Sequence, residues 1–381
     1  MGEGLRIGIE GKVLTRQIGG IGRCAINLLS AMASLASQEW ADLEFVIFAG
    51  PQTDRTLLQD LNVKVCRGLQ HVRSSMLRSC FGLPVAARVE RIDIFHSFDE
   101  SGLPFFFKRG KFVATIHDVM PLMFPWAFPF KHRLVSRFAL SRVCRQADVV
   151  IVPSSATKAE LLRYLSVDEC KVVVTPWGCE ARFQSAGEPT SLALVRRRYR
   201  LPERYLLFLG TLEPRKNVLT LLQAYAQLCA QQAALDVKLV IAGGHGWGYK
   251  DVKATCEALR LTDRVVFTGF VDEDDLPDLY RGAMLFVYPS LYEGFGLPIV
   301  EAMACGVPVI TSNVASIPEV AGQAAILVEP RQPEALAAAM ASVLGDTQLQ
   351  DTLRQRGLER ASQFSWERVA RQLLAVYRSL V

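Results

Sequence analysis

Short apolar runs alternate with amphipathic helical runs along nearly all of the 381 residues, and that alternation restricts the chain to parallel α/β architecture. In the first part, residues 6–10, 43–49, 63–66, 92–96, 112–116, 149–152 and 171–175 read as strands. Helices are expected over 24–35, 72–91 and 131–147, and Ser154-Ser155 can cap another that Glu160 helps to start. The pattern lapses between Pro176 and Tyr205, where Pro176, Gly178, Gly187, Pro189 and Pro202 interrupt it. It then restarts, with strands over 205–209, 237–242, 265–267, 284–288, 307–311 and 325–328 and helices between them. Helical runs over 333–344, 349–363 and 366–380 close the chain. The reading is therefore a first domain over 1–178, a linker over 179–204, a second domain over 205–363 and a closing helical segment over 364–381. Each domain is a doubly wound parallel sheet covered by helices on both faces. Two such domains in succession form a cleft, the default place for a ligand.

Half the residues are hydrophobic and 21% are charged, so a sizeable core is available. A net charge of +5 does not imply nucleic acid, and no nucleic-acid partner is expected. The charge is uneven. Residues 1–178 hold 22 Lys+Arg against 16 Asp+Glu, whereas the remainder holds 21 against 22, so an anionic partner belongs to the first part. The nine cysteines form no CxxC pair and no Cys/His cluster, which points to reduced thiols and to neither zinc nor a disulfide framework. The start has no signal-peptide core, and no apolar run approaches the ~18 residues that span a membrane. The expectation is a cytoplasmic protein, soluble or peripheral. Phe105-Phe106-Phe107-Lys108-Arg109 reads either as a buried turn or as an interfacial patch, with Arg73, Arg78 and Arg88 as further lipid contacts.

Four stretches carry the chemistry. In Glu293-Gly294-Phe295-Gly296-Leu297-Pro298-Ile299-Val300-Glu301, two glycines permit positive φ and Pro298 suits the first turn of a helix. Glu293 then precedes the helix and Glu301 lies about one turn inside it. The amides of Phe295 and Gly296 become free donors at a helix start. In Gly210-Thr211-Leu212-Glu213-Pro214-Arg215-Lys216-Asn217, two adjacent cations follow a strand and precede a helix. The helix dipole disfavours them, so an anion should compensate them, and a diphosphate would serve. His117-Asp118 ends a strand, where ligands of open α/β sheets gather, and neutral imidazole can accept from a sugar hydroxyl. Gly19-Gly20-Ile21-Gly22 is a tight turn or a phosphate loop, and is not a dinucleotide fingerprint. The aromatic segment around Trp126 reads as an acceptor-side loop.

Taken together in this order, the four motifs resemble those of GT-B glycosyltransferases of family GT4. Within that family they look like the mannosyltransferase-like bacterial members that build O-antigen and other surface polysaccharides. The resemblance runs to Phe364-Ser365-Trp366-Glu367, which is similar to the family's closing helix, and implies that this helix crosses back onto the first domain. It also implies roles. Arg215 and Lys216 would hold the donor diphosphate and neutralise the leaving group in place of a divalent metal, so no cofactor is expected. Glu301 would bond the donor ribose. Glu293, with the amides of Phe295 and Gly296, would hold donor sugar hydroxyls, and Leu297 would belong to the donor site. Thr211 would line the same site, and Phe270 and Val271 would meet the base. Gly20 and Gly22 would approach the phosphates from the other domain. His117 would sit beside the reacting sugar, with Asp118 and Trp126 on the acceptor side. The reaction implied is retaining transfer of a hexose, α-mannose from GDP-mannose, to an oligosaccharide or lipid-linked acceptor. The first domain would touch anionic inner-membrane lipid.

Rival readings stay open at this stage. UDP-sugar or dTDP-sugar donors fit the same motifs. Asp272-Glu273-Asp274 has the form that holds Mn or Mg in metal-dependent transferases, although acids before a helix also simply suit its dipole. A nucleotide-sugar epimerase of the same fold, or a non-catalytic sugar-nucleotide binder, would share the outline.

Overall fold

A computed structural model describes residues 4–15, 20–39, 42–59, 61–72, 74, 77–99, 110–124, 130–184, 187–232, 236–246 and 248–381. The chain divides into two compact units, one of Met1–Gly178 with Ser365–Val381, the other of Cys179–Phe364.

In the first unit, among the described residues, seven strands pair in parallel. They are β1 (Leu5–Glu10), β2 (Leu43–Phe48), β3 (Lys64–Cys66), β4 (Ile94–Ser97), β5 (Lys111–Thr115), β6 (Val149–Val152) and β7 (Val172–Val174). Their order is β3-β2-β1-β4-β5-β6-β7, so winding reverses between β1 and β4. Alternate strand residues serve opposite faces. Phe48, Phe95, Ala114 and Val150 join one core cluster with Leu83, Ala87, Leu140 and Val143 from the helices Leu83–Val89 and Phe130–Gln146. The helices Gly20–Glu39 and Trp366–Ser379 pack on each other, and the second of them reaches the sheet through Tyr377. The His96 ring on β4 meets the Tyr377 hydroxyl at 2.5 Å through Nδ1 and Thr115 Oγ1 at 2.9 Å through Nε2. The closing helix thus returns to the first sheet, as the resemblance implied. It starts in a tight place: a Cβ added at Gly178 would sit 2.3 Å from the Trp366 amide nitrogen, so only glycine lets the two backbones approach.

In the second unit six strands pair in parallel among the described residues. They are β8 (Tyr205–Leu209), β9 (Lys238–Ala242), β10 (Val265–Gly269), β11 (Leu285–Tyr288), β12 (Val309–Ser312) and β13 (Ile326–Val328), in the order β10-β9-β8-β11-β12-β13. Winding reverses between β8 and β11, and this reversal places the candidate site.

Three expectations need correction. The stretch 179–204 is not a bare linker: it carries helices Ala181–Gln184 and Pro189–Tyr199 and belongs to the second unit. Pro189 and the left-handed Arg200 (φ 53°) start and stop a helix there, and the sequence reading took such punctuation as a break. The expected helix 72–91 contains a π-helical turn, Arg78–Gly82, before Leu83–Val89, and Arg73 falls outside the described residues. The Gly20 to Gly22 stretch is the first turn of the helix itself, which begins four residues earlier than the apolar spacing suggested.

Candidate active site

The carboxyl ends of β8 and β11 lie side by side where the winding reverses. From β8 the chain runs through Gly210 into a single 3-10 turn, Pro214–Lys216, and Asn217 then takes a left-handed conformation (φ 59°) before the helix Val218–Gln231. From β11 it runs through Pro289 to Gly296 into the helix Leu297–Ala304. The two loops are tied together. Leu291 N–H donates to the Arg215 carbonyl at 2.8 Å. Asn217 Nδ2 donates to the carbonyls of Pro289 at 3.0 Å and Pro330 at 2.5 Å.

Glu293 sits at the centre and is only 8% exposed. Its Oε1 accepts from Lys216 Nζ at 2.6 Å, from Ser290 Oγ at 2.7 Å and from the Tyr288 hydroxyl at 2.9 Å. Its Oε2 accepts from Arg215 at 2.9 Å. Lys216 also donates to the Tyr288 hydroxyl, and Arg215 reaches Glu213 at 3.3 Å. Burial would raise the Glu293 carboxyl. Lys216, then Arg215, with hydrogen bonds from Lys216 and Ser290, outweigh it and hold the group down to about 2. Burial pulls the Lys216 ammonium below its ordinary value, and the Glu293 carboxylate opposes that. Burial, then Glu293, pushes the Tyr288 phenol well up, so it stays a neutral donor. At neutral pH the cluster is a charged pair of cations locked to one carboxylate.

The anion expected to compensate the two cations is present within the chain itself. Glu293 and Glu213 supply it, so Arg215 and Lys216 do not form a bare cationic patch. An ammonium has three N–H groups. Two of Lys216's go to Glu293 and Tyr288, and among the described residues the third has no partner.

The start of the helix Leu297–Ala304 is built as expected at Gly296, which has φ 103°, but Gly294 is not at positive φ. Among the described residues the amides of Phe295 and Gly296 make no hydrogen bond, and they stand beside the Glu293 cluster. Ser316 Oγ braces this turn by donating to the carbonyls of Glu293 at 2.8 Å and Phe295 at 3.0 Å. Glu301 is buried inside the helix and accepts from the Tyr280 hydroxyl at 2.9 Å.

Two family models cover most of the chain. Glycosyltransferase Family 4 matches residues 18–182, and Glycosyl transferases group 1 matches residues 196–360. The O-antigen chain mannosyltransferase B of Escherichia coli is 35% identical over 269 residues, which are 70% of this chain and 70% of that one. The chain is a family GT4 glycosyltransferase. A serotype-specific mannosyltransferase of E. coli, WbdA, is 30% identical over 68% of this chain, which covers only 32% of that longer relative. Among solved structures, Anabaena HepE in complex with UDP and glucose superposes with a TM-score of 0.78 at 22% identity, covering 99% of this chain and 100% of that one. That likeness is one of fold, and the fold of this glycosyltransferase is GT-B.

Of the residues singled out in the sequence, Arg215, Lys216 and Glu293 meet directly in the glycosyltransferase's second unit. Thr211 is exposed on the β8 loop, Phe270 is 64% exposed after β10, and Val271 is buried beside it. Leu297 opens the helix that carries Glu301. Gly20, Gly22, His117 and Asp118 belong to the first unit. His117 Nε2 lies 2.9 Å from the Phe98 carbonyl, which can only accept, so Nε2 carries the proton. Burial lowers the imidazole, and the Phe98 bond with nearby Asp118 opposes that. The neutral ring therefore presents Nδ1 as an acceptor, as a hydroxyl ligand requires, and Nδ1 makes no hydrogen bond among the described residues. Asp118 Oδ1 is engaged locally, accepting from Met120 N–H at 2.9 Å. Trp126 lies outside the described residues.

The acidic run 272–275 is held by arginines: Arg198 pairs with Asp272 and with Asp275, while Arg182 pairs with Glu273 and Asp274. These acids form a charge ladder ahead of the helix Leu276–Arg281. Sequence reasoning missed Tyr288, Ser290, Asn217, Ser316 and Tyr280. The usable signal for Tyr288 and Ser290 was position, since Tyr288 ends the strand at the winding reversal and Ser290 follows it.

Proposed function

We propose that this glycosyltransferase moves α-mannose from GDP-mannose, with retention of configuration, to a lipid-linked oligosaccharide in surface-polysaccharide synthesis on the cytoplasmic side. Its 35% identity to the O-antigen chain mannosyltransferase B, over 70% of both chains, is the observation that carries this reading. The geometry of the β8 and β11 loops supports it.

In this reading, departure of the nucleotide builds negative charge on the β-phosphate. Arg215 and the remaining Lys216 N–H meet that charge, already oriented by Glu293, so little reorganisation is needed when it forms. The amides of Phe295 and Gly296 donate to the donor at the helix start, where the dipole favours anions. Glu301 accepts from the ribose hydroxyls, with Tyr280 holding its other side. Phe270 and Val271 meet the base, and Thr211 lines the diphosphate. Gly20 and Gly22 approach the phosphates, and His117 Nδ1 accepts from a sugar hydroxyl. The fixed cations take the part a divalent metal has in other transferases, so no metal is required.

The test is a donor screen with mass-spectrometric product detection, run with and without EDTA. Transfer from GDP-mannose that survives EDTA supports the reading, and α-configured product by NMR supports retention. Transfer from UDP-glucose, UDP-GlcNAc or dTDP-rhamnose alone overturns the donor assignment. Dependence on added metal overturns the role given to Arg215 and Lys216. Complete turnover of donor without acceptor would indicate an epimerase instead.

A further inference from the structure

The first unit has a winding reversal of its own, between β1 and β4, and the crevice at such a reversal is where open α/β sheets bind ligands. Glu10 stands there as the last residue of β1 and is 5% exposed. Its Oε1 accepts from Arg78 Nη2 at 2.6 Å, and among the described residues its Oε2 makes no hydrogen bond. Arg78 is as deeply buried, and its Nε donor has no partner among the described residues. Arg78 is therefore not the lipid contact that the sequence suggested. Arg88 is exposed, Phe105 to Arg109 lie outside the described residues, and no helix among those described is long and apolar enough to cross a membrane. Unpaired polar atoms in a buried ion pair cost stability, and such groups concentrate where a ligand or a reaction uses them.

The loops around this pair hold it in place. A Cβ on Gly50, after β2, would come within 2.4 Å of the Arg78 guanidinium, so glycine makes room for the cation. Thr53 Oγ1 accepts from Gly50 N–H at 2.8 Å and donates to the Gly11 carbonyl at 2.8 Å, which ties the loops after β1 and β2 together. On the other side of β1, Asp99 follows β4. Ser97 Oγ donates to the Asp99 carbonyl at 2.6 Å, and His117, after β5, donates through Nε2 to the Phe98 carbonyl. The Asp99 carboxylate reaches Lys12 at 3.5 Å, and its charge acts on both Glu10 and His117. Glu10, Asp99 and His117 thus form one polar arc along the carboxyl ends of three neighbouring strands, with Arg78 and Lys12 beside the two acids.

The mixture of charges selects the ligand. Glu10 and Asp99 would repel a phosphate, and Arg78 and Lys12 would repel an amine. A hydroxyl donates and accepts at once, so a neutral polyol suits both signs. We infer that Glu10 and Asp99 bind hydroxyl groups of the acceptor saccharide and set which acceptor sugar is taken. The inference rests on the reading that the acceptor is a saccharide, and it does not depend on the donor. Burial, then the Asp99 charge, raises the Glu10 carboxyl to about 7 against the pull of Arg78 and Lys12. Below that value the carboxyl gains a proton and loses its stronger, charged acceptor oxygens. Capture of the acceptor should therefore weaken as pH falls through about 7.

The test is initial-rate kinetics of the full chain with octyl α-mannoside, octyl α-glucoside and octyl α-galactoside as acceptor probes, which differ only in hydroxyl orientation. The donor is GDP-mannose, or whichever sugar nucleotide the donor screen identifies. Glu10→Gln should raise the KM of the parent's preferred probe about tenfold or more, leave the donor KM as it is, and narrow the preference among the three probes. The parent's kcat/KM for that probe should rise with pH through about 7, and Glu10→Gln should lack the rise. Thermal melting checks that the variant is folded. Should Glu10→Gln destabilise the chain, Asp99→Asn, at a less buried carboxylate, gives the same KM and preference readouts. Folded variants that match the parent in acceptor KM and preference overturn the inference, as does a change confined to kcat or to the donor KM. A parent that hydrolyses the donor but transfers to none of the probes overturns the saccharide-acceptor reading, and the inference falls with it.

Discussion

The Glu293 carboxylate and the Lys216 ammonium are 2.6 Å apart, both buried, and each comes from the loop after a different strand, 77 residues apart in sequence. Their contact joins the ends of β8 and β11 and fixes the cation before any ligand arrives. Removing the carboxylate would leave Lys216 buried and uncompensated, which is a costlier defect than losing an exposed pair. Glu293→Ala is expected to destabilise the second unit by on the order of 3 kcal/mol, measured by denaturant unfolding. Glu293→Gln keeps the shape and should cost less. If turnover fell in both while melting stayed at the parent value, Glu293 would be a ligand contact with no structural share.

The same pair predicts an acid response. A carboxyl held at about 2 against an ordinary 4.5 stabilises the folded state fully above pH 4.5 and loses that stabilisation as pH falls towards 2. The parent should therefore lose on the order of 3 kcal/mol across that window from this group. Glu293→Gln should lack the corresponding part of the slope. An unchanged slope in the variant would show that the pair does not persist in solution.

Asn217 was read in the sequence as the end of a motif, and the structure makes it a clasp. Its side chain bonds two carbonyls from other loops while its backbone sits at φ 59°. Asn217→Ala should lose both bonds and strain the backbone, costing ~2–4 kcal/mol. Asn217→Gly should lose the bonds without the strain and be ~1 kcal/mol less harmful. Equal losses in the two variants would put all of the effect in the side chain.

How much was legible depended on whether the signal was local. The β/α alternation was local, because apolar runs and turn residues report their own backbone, and both sheets follow from it. Gly296 and Pro298 announced a helix start for the same reason. The reach of Arg215 and Lys216 to Glu293 was not local. Cations beside a helix start showed only that some anion was needed, and a carboxylate 77 residues away satisfies that need as well as a phosphate does. Tyr288 and Ser290 had only their place at a strand end to mark them, which many hydroxyl residues share, and Ser316 had no local signal, so tertiary pairing is what singles the three out. Arg78 looked like surface charge, and its burial against Glu10 depends on β1 ending beside the π-helical turn.

Glu301 and Tyr280 test the donor side of the proposal. The 2.9 Å bond between them fixes a buried carboxylate on the helix that starts at Leu297. If Glu301 accepts from the donor ribose, Glu301→Gln should raise the donor KM about 10- to 100-fold with little change in kcat, the effect of one or two hydrogen bonds to a charged group. Tyr280→Phe should shift KM the same way but less. A fall in kcat at unchanged KM would place Glu301 in a transition-state contact and overturn the ribose assignment.

His96 gives the first unit its own acid response. Burial, with His117 nearby, lowers the ring to about 3 from an ordinary 6.5, and its two nitrogens are held by Tyr377 and Thr115. A ring that stays neutral when folded and accepts a proton when unfolded adds stability that is complete above pH 6.5. That stability is lost as pH falls from 6.5 towards 3. Because Tyr377 belongs to the closing helix, protonation should release that helix from β4. Hydrogen exchange at pH 7 and at pH 4.5 is expected to show loss of protection across Trp366–Ser379 at the lower pH. Tyr377→Phe should show part of that loss already at pH 7. Protection of the closing helix that is equal at both pH values would rule out His96 as its acid-sensitive anchor.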